Sequence, residues 1–184
     1  MLGPRGDGRF EHYFGNEFIE LGLSGSQYGK LGTIGPNPPG FFGRQDFGSA
    51  SRVGIGMVGD NDGFGTGLDL RIDYFLPGSP EETWNVAASG RDYPAGRSAW
   101  AMSYDGPTLD SATGIASMTH TAVQPDGCLQ IRQEFTLAPG HKFFENRVTL
   151  TNTGSSGCPT YTDAKFARSV DPDNTYGFWR CLWC

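Results

Sequence analysis

Apolar and polar residues alternate along much of this chain. Ile19, Leu21 and Leu23 share one face of an extended segment, and Val53, Ile55 and Met57 share another, with Gly54 and Gly56 between them. Leu129, Ile131, Phe135 and Leu137 point one way, while Gln130, Arg132, Glu134 and Thr136 point the other. Phe144, Val148 and Leu150 oppose Glu145, Arg147, Thr149 and Thr151, and Ala164, Phe166 and Val170 extend the theme. A period of two with one wet face predicts antiparallel sheet. No convincing window free of Gly and Pro carries apolar residues at helical spacing, so few or no helices are expected.

Turn chemistry agrees with this reading. Asp105-Gly106-Pro107, Pro125-Asp126-Gly127 and Asn152-Thr153-Gly154 each separate strand-like runs, and their glycines supply the positive φ of hairpin turns. Gly35-Pro36-Asn37-Pro38-Pro39-Gly40 is too stiff to pair as a central strand. Roughly ten short strands with turns between them predict an all-β, antiparallel two-sheet β-sandwich. There is no internal repeat and no linker, so residues 1–184 read as a single domain. From about residue 175 the chain is aromatic and loses its alternation. That tail is either a terminal strand, a truncation or a segment foreign to the domain. If strands are missing, an open sheet edge would invite a homodimer.

Composition narrows the partners. The net charge is −6 and no basic patch exists to neutralise phosphates, which argues against nucleic acid. No apolar run reaches the length of a membrane span. With 13 Phe, 7 Tyr and 4 Trp, there is ample apolar surface for a core. Buried aromatics are the commoner case, although an exposed row from Phe41, Phe42, Phe47, Tyr74, Phe75, Trp84, Tyr93, Trp100 and Tyr104 would stack on sugar rings. Met1 to Phe10 lacks the basic and apolar regions of a signal peptide, yet the fold type favours an extracellular or periplasmic setting. Of the four cysteines, Cys128 and Cys158 are a candidate disulfide, although spacing alone fixes no connectivity. Cys181-Leu182-Trp183-Cys184 has no second ligand pair for zinc and does not open a helix as a redox motif would.

The segment Phe143-Phe144-Glu145-Asn146-Arg147-Val148-Thr149-Leu150-Thr151-Asn152-Thr153-Gly154 resembles a strand of bacterial extracellular β-sandwich modules. It also resembles the large sandwiches similar to galactose mutarotase. Asp73 to Glu82, followed by Trp84, looks like part of the same type of domain. The resemblance implies a supersandwich-like fold. Mutarotase-like enzymes set a His and a carboxylate against a sugar ring. That motif does not map onto His12, His120 or His141, so no catalytic residue is carried over.

Candidate chemistry concentrates in Gly59-Asp60-Asn61-Asp62-Gly63-Phe64-Gly65-Thr66-Gly67-Leu68-Asp69, with Asp73 following. Ca²⁺ takes oxygen ligands from carboxylates, amides, carbonyls and water. Asp60, Asn61, Asp62, Asp69 and Asp73 offer side-chain oxygens, and the glycines let carbonyls turn inward. The spacing is not that of an EF-hand, because Phe64 and Arg71 fall where ligands are needed. The competing reading is a hairpin turn on Asp62-Gly63 with solvated acids. Asp171 and Asp173, in Asp171-Pro172-Asp173-Asn174 after Asp163, form a second acidic loop that would strengthen a metal site if it converged on the first.

The other motifs are weaker. His120 sits on a strand and reads as a core or surface histidine, and His141 follows Pro139-Gly140 in a solvated turn. Gly22-Leu23-Ser24-Gly25 fails the nucleophile-elbow spacing. The sharpest functional expectation is a Ca²⁺-dependent hydrolase of small esters, lactones or glycosides. The metal would polarise a carbonyl, and Asp62 or Asp73 would orient or deprotonate water. The alternative is a non-catalytic, Ca²⁺-stabilised module that binds carbohydrate or another surface molecule.

Overall fold

The computed structural model describes residues 2–4, 11–24, 30–31, 54–60, 62–63, 70–75, 82–95, 99–154 and 156–170. These residues form strands and no helix. The strands are β1 (Leu2–Pro4), β2 (Glu11–Gly15), β3 (Ile19–Ser24), β4 (Lys30–Leu31), β5 (Gly54–Asp60), β6 (Leu70–Phe75), β7 (Glu82–Ala88), β8 (Arg91–Pro94), β9 (Ala101–Leu109), β10 (Ala116–Val123), β11 (Leu129–Leu137), β12 (Glu145–Asn152) and β13 (Lys165–Val170). Every pairing is antiparallel. The fold is all-β and sandwich-like, as the alternation predicts, and among the described residues its two layers contain three sheets. A four-stranded sheet runs β12-β11-β10-β9, a six-stranded sheet runs β1-β2-β3-β5-β6 with β4 on β3, and a three-stranded sheet runs β13-β7-β8.

The four-stranded sheet supplies one wall of the core for both of the others. At one end of its inner face Ala116, Met118, Phe135 and Leu137 pack on Phe14, Ile19 and Leu21 of the six-stranded sheet. At the other end Ala122, Leu129 and Ile131 pack on Trp84 and Val86 of the three-stranded sheet, together with Ala95 and Trp100. On β10 and β11 burial alternates strictly with sequence. Each inward aliphatic or aromatic side chain contributes about 1.5–3 kcal/mol by leaving water. Trp84 and Trp100 meet edge to face, with ring centroids 5.3 Å apart, so the tryptophans build core rather than an exposed stacking row. Ala164, expected to face inward, is exposed just before β13, whereas Phe166 packs on the second cluster.

One expected turn is instead part of a strand. Asp105-Gly106-Pro107 lies inside β9, where Gly106 and Pro107 intervene between the rungs Thr119↔Asp105 and Ser117↔Thr108. Gly106 has φ +98, and a Cβ there would lie 3.0 Å from the Ser117 carbonyl oxygen. Turn and bulge draw on the same Gly-Pro chemistry, and pairing with β10 selects the bulge. Pro107 is tolerated because β9 is an edge strand of its sheet.

Pro125-Asp126-Gly127 forms the expected hairpin turn between β10 and β11, whereas Asn152-Thr153-Gly154 turns the chain out of β12 toward β13, which pairs with β7 in another sheet. At 124–128 the Gly127 amide donates to the Gln124 carbonyl at 2.8 Å, and the Asp126 carboxylate accepts from the Cys128 amide at 2.9 Å. After β12, Asn152 Oδ1 accepts from the Gly154 amide at 3.1 Å. Cys128 and Cys158 form the disulfide that spacing alone left open, tying the 153–164 connection to the start of β11. The Gly35–Gly40 loop, the tail from residue 171 and the Cys181–Cys184 motif lie outside the described residues.

Candidate functional site

The acidic run opens at the end of β5. The ladder between β5 and β6 runs from Met57↔Asp73 through Val58↔Ile72 and Gly59↔Arg71 to Asp60↔Leu70. Asp60↔Leu70 is the last rung among the described residues. A two-residue hairpin on Asp62-Gly63 would pair Asp60 with Gly65, whereas the register pairs Asp60 with Leu70, so that reading is corrected. Instead Gly63 is buried with φ +98, close to the Phe18 ring and the Glu17 carbonyl. A Cβ at Gly63 would lie 3.6 Å from Phe18 Cε1. Asp62, beside it, is exposed.

The turn that receives Gly63 is itself fixed across the sandwich. Asn16 Oδ1 accepts from the amides of Phe18 and Ile19 at 2.9 and 2.8 Å. Its Nδ2 donates to the carbonyls of Ala138 and His141 at 2.7 and 2.8 Å. Glu17 Oε1 accepts from the Gly140 amide at 2.7 Å, and the Lys142 ammonium stands 5.2 Å from the centre of the Phe18 ring. One end of the sandwich thus gathers the start of the acidic loop, the 16–18 turn and the β11–β12 connection. Glu17, Asp62, His141 and Lys142 are exposed there.

The candidate ligands are placed unequally. Asp60 ends β5 opposite Leu70, and Asp73 lies on β6 opposite Met57. Those positions are roughly 10 Å apart along the hairpin at the rise of a strand. Asn61, Asp69, Asp171 and Asp173 lie outside the described residues, so the convergence of the two acidic loops does too. Asp163 stands before β13 and pairs with Lys165 at 3.0 Å on the surface. Among the described residues no group of three or more His, Cys, Asp or Glu is arranged to hold a metal ion.

A second polar constellation, which the sequence reading passed over, lies in the core between the two apolar clusters. His120 on β10 and Gln133 on β11 are direct cross-strand neighbours, and both are fully buried. Gln133 Oε1 accepts from Arg168 Nη1 of β13 at 3.0 Å and from Asn146 Nδ2 of β12 at 3.4 Å. Two donors on that oxygen turn the Gln133 amide nitrogen toward His120 Nδ1, 3.2 Å away. Nδ1 is then the acceptor, and the ring proton resides on Nε2. Nε2 is buried and has no hydrogen-bond partner among the described residues.

Aromatic rings flank His120 on both sides. Tyr104 lies 5.3 Å away and Trp84 6.0 Å away between centroids, and His12 lies 5.2 Å beyond Tyr104. Burial, and secondarily the charge of Arg168, push the His120 pKa down from 6.5 to about 4. Burial also lowers that of His12. The signal for this cluster was present in the sequence. Gln133 occupies the inward slot between Ile131 and Phe135, and His120 the inward slot between Met118 and Ala122. No family model, curated protein or solved structure matches the chain.

Proposed function

We propose that the chain is a Ca²⁺-stabilised β-sandwich binding module for a carbohydrate or other small polar ligand, belonging to an exported protein. The observation that carries the reading is the burial of Gly63 against Phe18 just beyond β5, with Asp62 exposed beside it. Asn61, Asp62 and Asp69 belong to the same oxygen-rich run in the sequence, and the register Asp60↔Leu70 does not centre the connection on Asp62-Gly63. Asp60, Asn61, Asp62 and Asp69 would supply oxygen donors suited to a hard cation, with Asp171 and Asp173 completing the shell if their loop reaches it. Bound Ca²⁺ would order the loop beside the exposed Glu17 and His141. The Cys128–Cys158 disulfide supports an oxidising compartment outside the cytoplasm.

The exposure of Asp62 favours a second reading on the same loop, a Ca²⁺-dependent hydrolase of small esters, lactones or glycosides. Calcium would supply Lewis-acid polarisation of the substrate carbonyl, and Asp62, with Asp73 as a further candidate, would orient or deprotonate water. Thermal melts in Ca²⁺ and in EGTA, run beside assays with p-nitrophenyl esters and simple lactones, separate the two. The binding module predicts a Tm higher in Ca²⁺ by about 5–10 °C when the ion is at roughly a hundred times its Kd, with no turnover. That rise should vanish in Asp60→Ala and Asp62→Ala. Turnover abolished by EGTA and by Asp62→Ala would favour the hydrolase. An unchanged Tm together with no calcium binding by calorimetry would refute both.

A further inference from the structure

We infer that His120, Gln133 and Arg168 form an acid-released latch that holds the three-stranded β13-β7-β8 sheet on the four-stranded sheet. The Arg168–Gln133 bond is a side-chain hydrogen bond joining β13 to β11 across the layers. Gln133 passes that bond on to β10, because the oxygen that accepts from Arg168 and Asn146 fixes the nitrogen that donates to His120 Nδ1. The chain of bonds therefore has one direction and requires a neutral imidazole.

A proton on Nδ1 breaks this arrangement. It places an N–H against the amide nitrogen of Gln133, donor against donor. Rotating the Gln133 amide to accept that proton removes its oxygen from Arg168 and Asn146. It also turns the amide nitrogen toward the guanidinium, which has no lone pair to accept from it. Neither orientation of Gln133 satisfies both neighbours once His120 is charged.

The surroundings offer the charge little relief. β10 carries His120 between Met118 and Ala122, β9 presents Tyr104 and β7 presents Trp84. β11 presents Gln133, β13 the cation Arg168, and β2 adds His12 beyond Tyr104. Among the described residues, those facing His120 include a second cation and a second histidine and no carboxylate. The imidazolium would share a dry gap with Arg168, and like charges in low dielectric repel strongly. Separating the sheets lets His120 take its proton in water at its ordinary 6.5, whereas the docked form resists protonation to about pH 4. Opening is therefore favoured progressively as pH falls between those values. Trp84 and Val86 would then leave Ala122 and Ile131, while the β9–β12 ladder, held by its own backbone bonds, would persist.

The test is amide hydrogen exchange of the full chain from pH 7 to pH 4, corrected for intrinsic exchange, together with NMR of the histidine rings. Protection in β7, β8 and β13 should fall roughly a hundredfold by pH 4. Protection in β10 and β11 should stay within a few-fold. The His120 ring should show the Nε2–H tautomer at pH 7. In His120→Gln the selective loss should disappear. Gln133→Glu provides a second variant should the first fail to fold. Its carboxylate can accept from Arg168, Asn146 and a protonated Nδ1 together, so the loss should move to lower pH. Equal loss of protection in both sheets, ordinary titration of His120 near pH 6.5 in the docked state, or a wild-type profile in either variant would overturn the latch.

Discussion

Asn16 and Ala138 are joined by a 2.7 Å hydrogen bond although 122 positions separate them in the chain. The same amide group donates to the His141 carbonyl and accepts from the amides of Phe18 and Ile19. One side chain thereby shapes the β2–β3 turn and fastens it to the β11–β12 connection. Replacing Asn16 by Ala should cost about 2 kcal/mol, because several backbone groups lose their partner together. Urea unfolding should show a lower midpoint with an unchanged slope. Asn16→Asp, which keeps the acceptor but loses the donor, should fall between the two.

Stability should decline as the solution is acidified from above pH 6.5. His120 has a folded-state pKa of about 4, below its ordinary 6.5. The unfolded chain therefore binds this proton first as pH falls. The favourable contribution of neutral His120 is fully present above about pH 6.5, shrinks through the window between 6.5 and 4, and is gone below it. At about 1.4 kcal/mol per tenfold change in proton affinity, the full span is on the order of 3 kcal/mol. Denaturant titrations at half-unit pH steps measure it. His120→Gln should flatten the curve across this window.

Gly106→Ala probes the bulge in β9. The new methyl would meet the Ser117 carbonyl at 3.0 Å in a backbone region that L-residues rarely adopt. A loss of about 1–3 kcal/mol is expected. Gly90→Ala has an open surrounding at its Cβ position and φ +71, so it carries the backbone strain without the contact and should cost less. A melting comparison of the two separates strain from collision.

Removing the Cys128–Cys158 link, as the double alanine variant, should destabilise the domain by about 2–4 kcal/mol through the freedom regained by the unfolded chain. Trypsin should then cut faster near Lys165 and Arg168, at the end of the connection that the disulfide tethers. Reduction of the wild-type protein should reproduce the effect.

The alternation along the chain was enough to assign β11 and β12, because a strand exposes its two faces by sequence parity alone. Leu129, Ile131, Phe135 and Leu137 are buried where the period of two places them. Parity says which face a residue joins, but not what lies opposite. It therefore missed the division of the second layer into two sheets. It also missed the meaning of His120 and Gln133, polar residues in inward slots whose partner Arg168 arrives from a distant strand. Local chemistry had the same limit at Asp105-Gly106-Pro107 and at Asp62-Gly63. Glycine permits a turn, a bulge or a buried loop contact, and pairing with β10 in one case and packing on Phe18 in the other made the choice. The sequence by itself determined the all-β character, the inward faces of β11 and β12 and the oxygen-rich composition of the 59–69 run. Only the tertiary structure decided which faces meet, in what register β5 and β6 pair and which buried polar groups satisfy one another, because those outcomes depend on contacts between residues far apart in the chain.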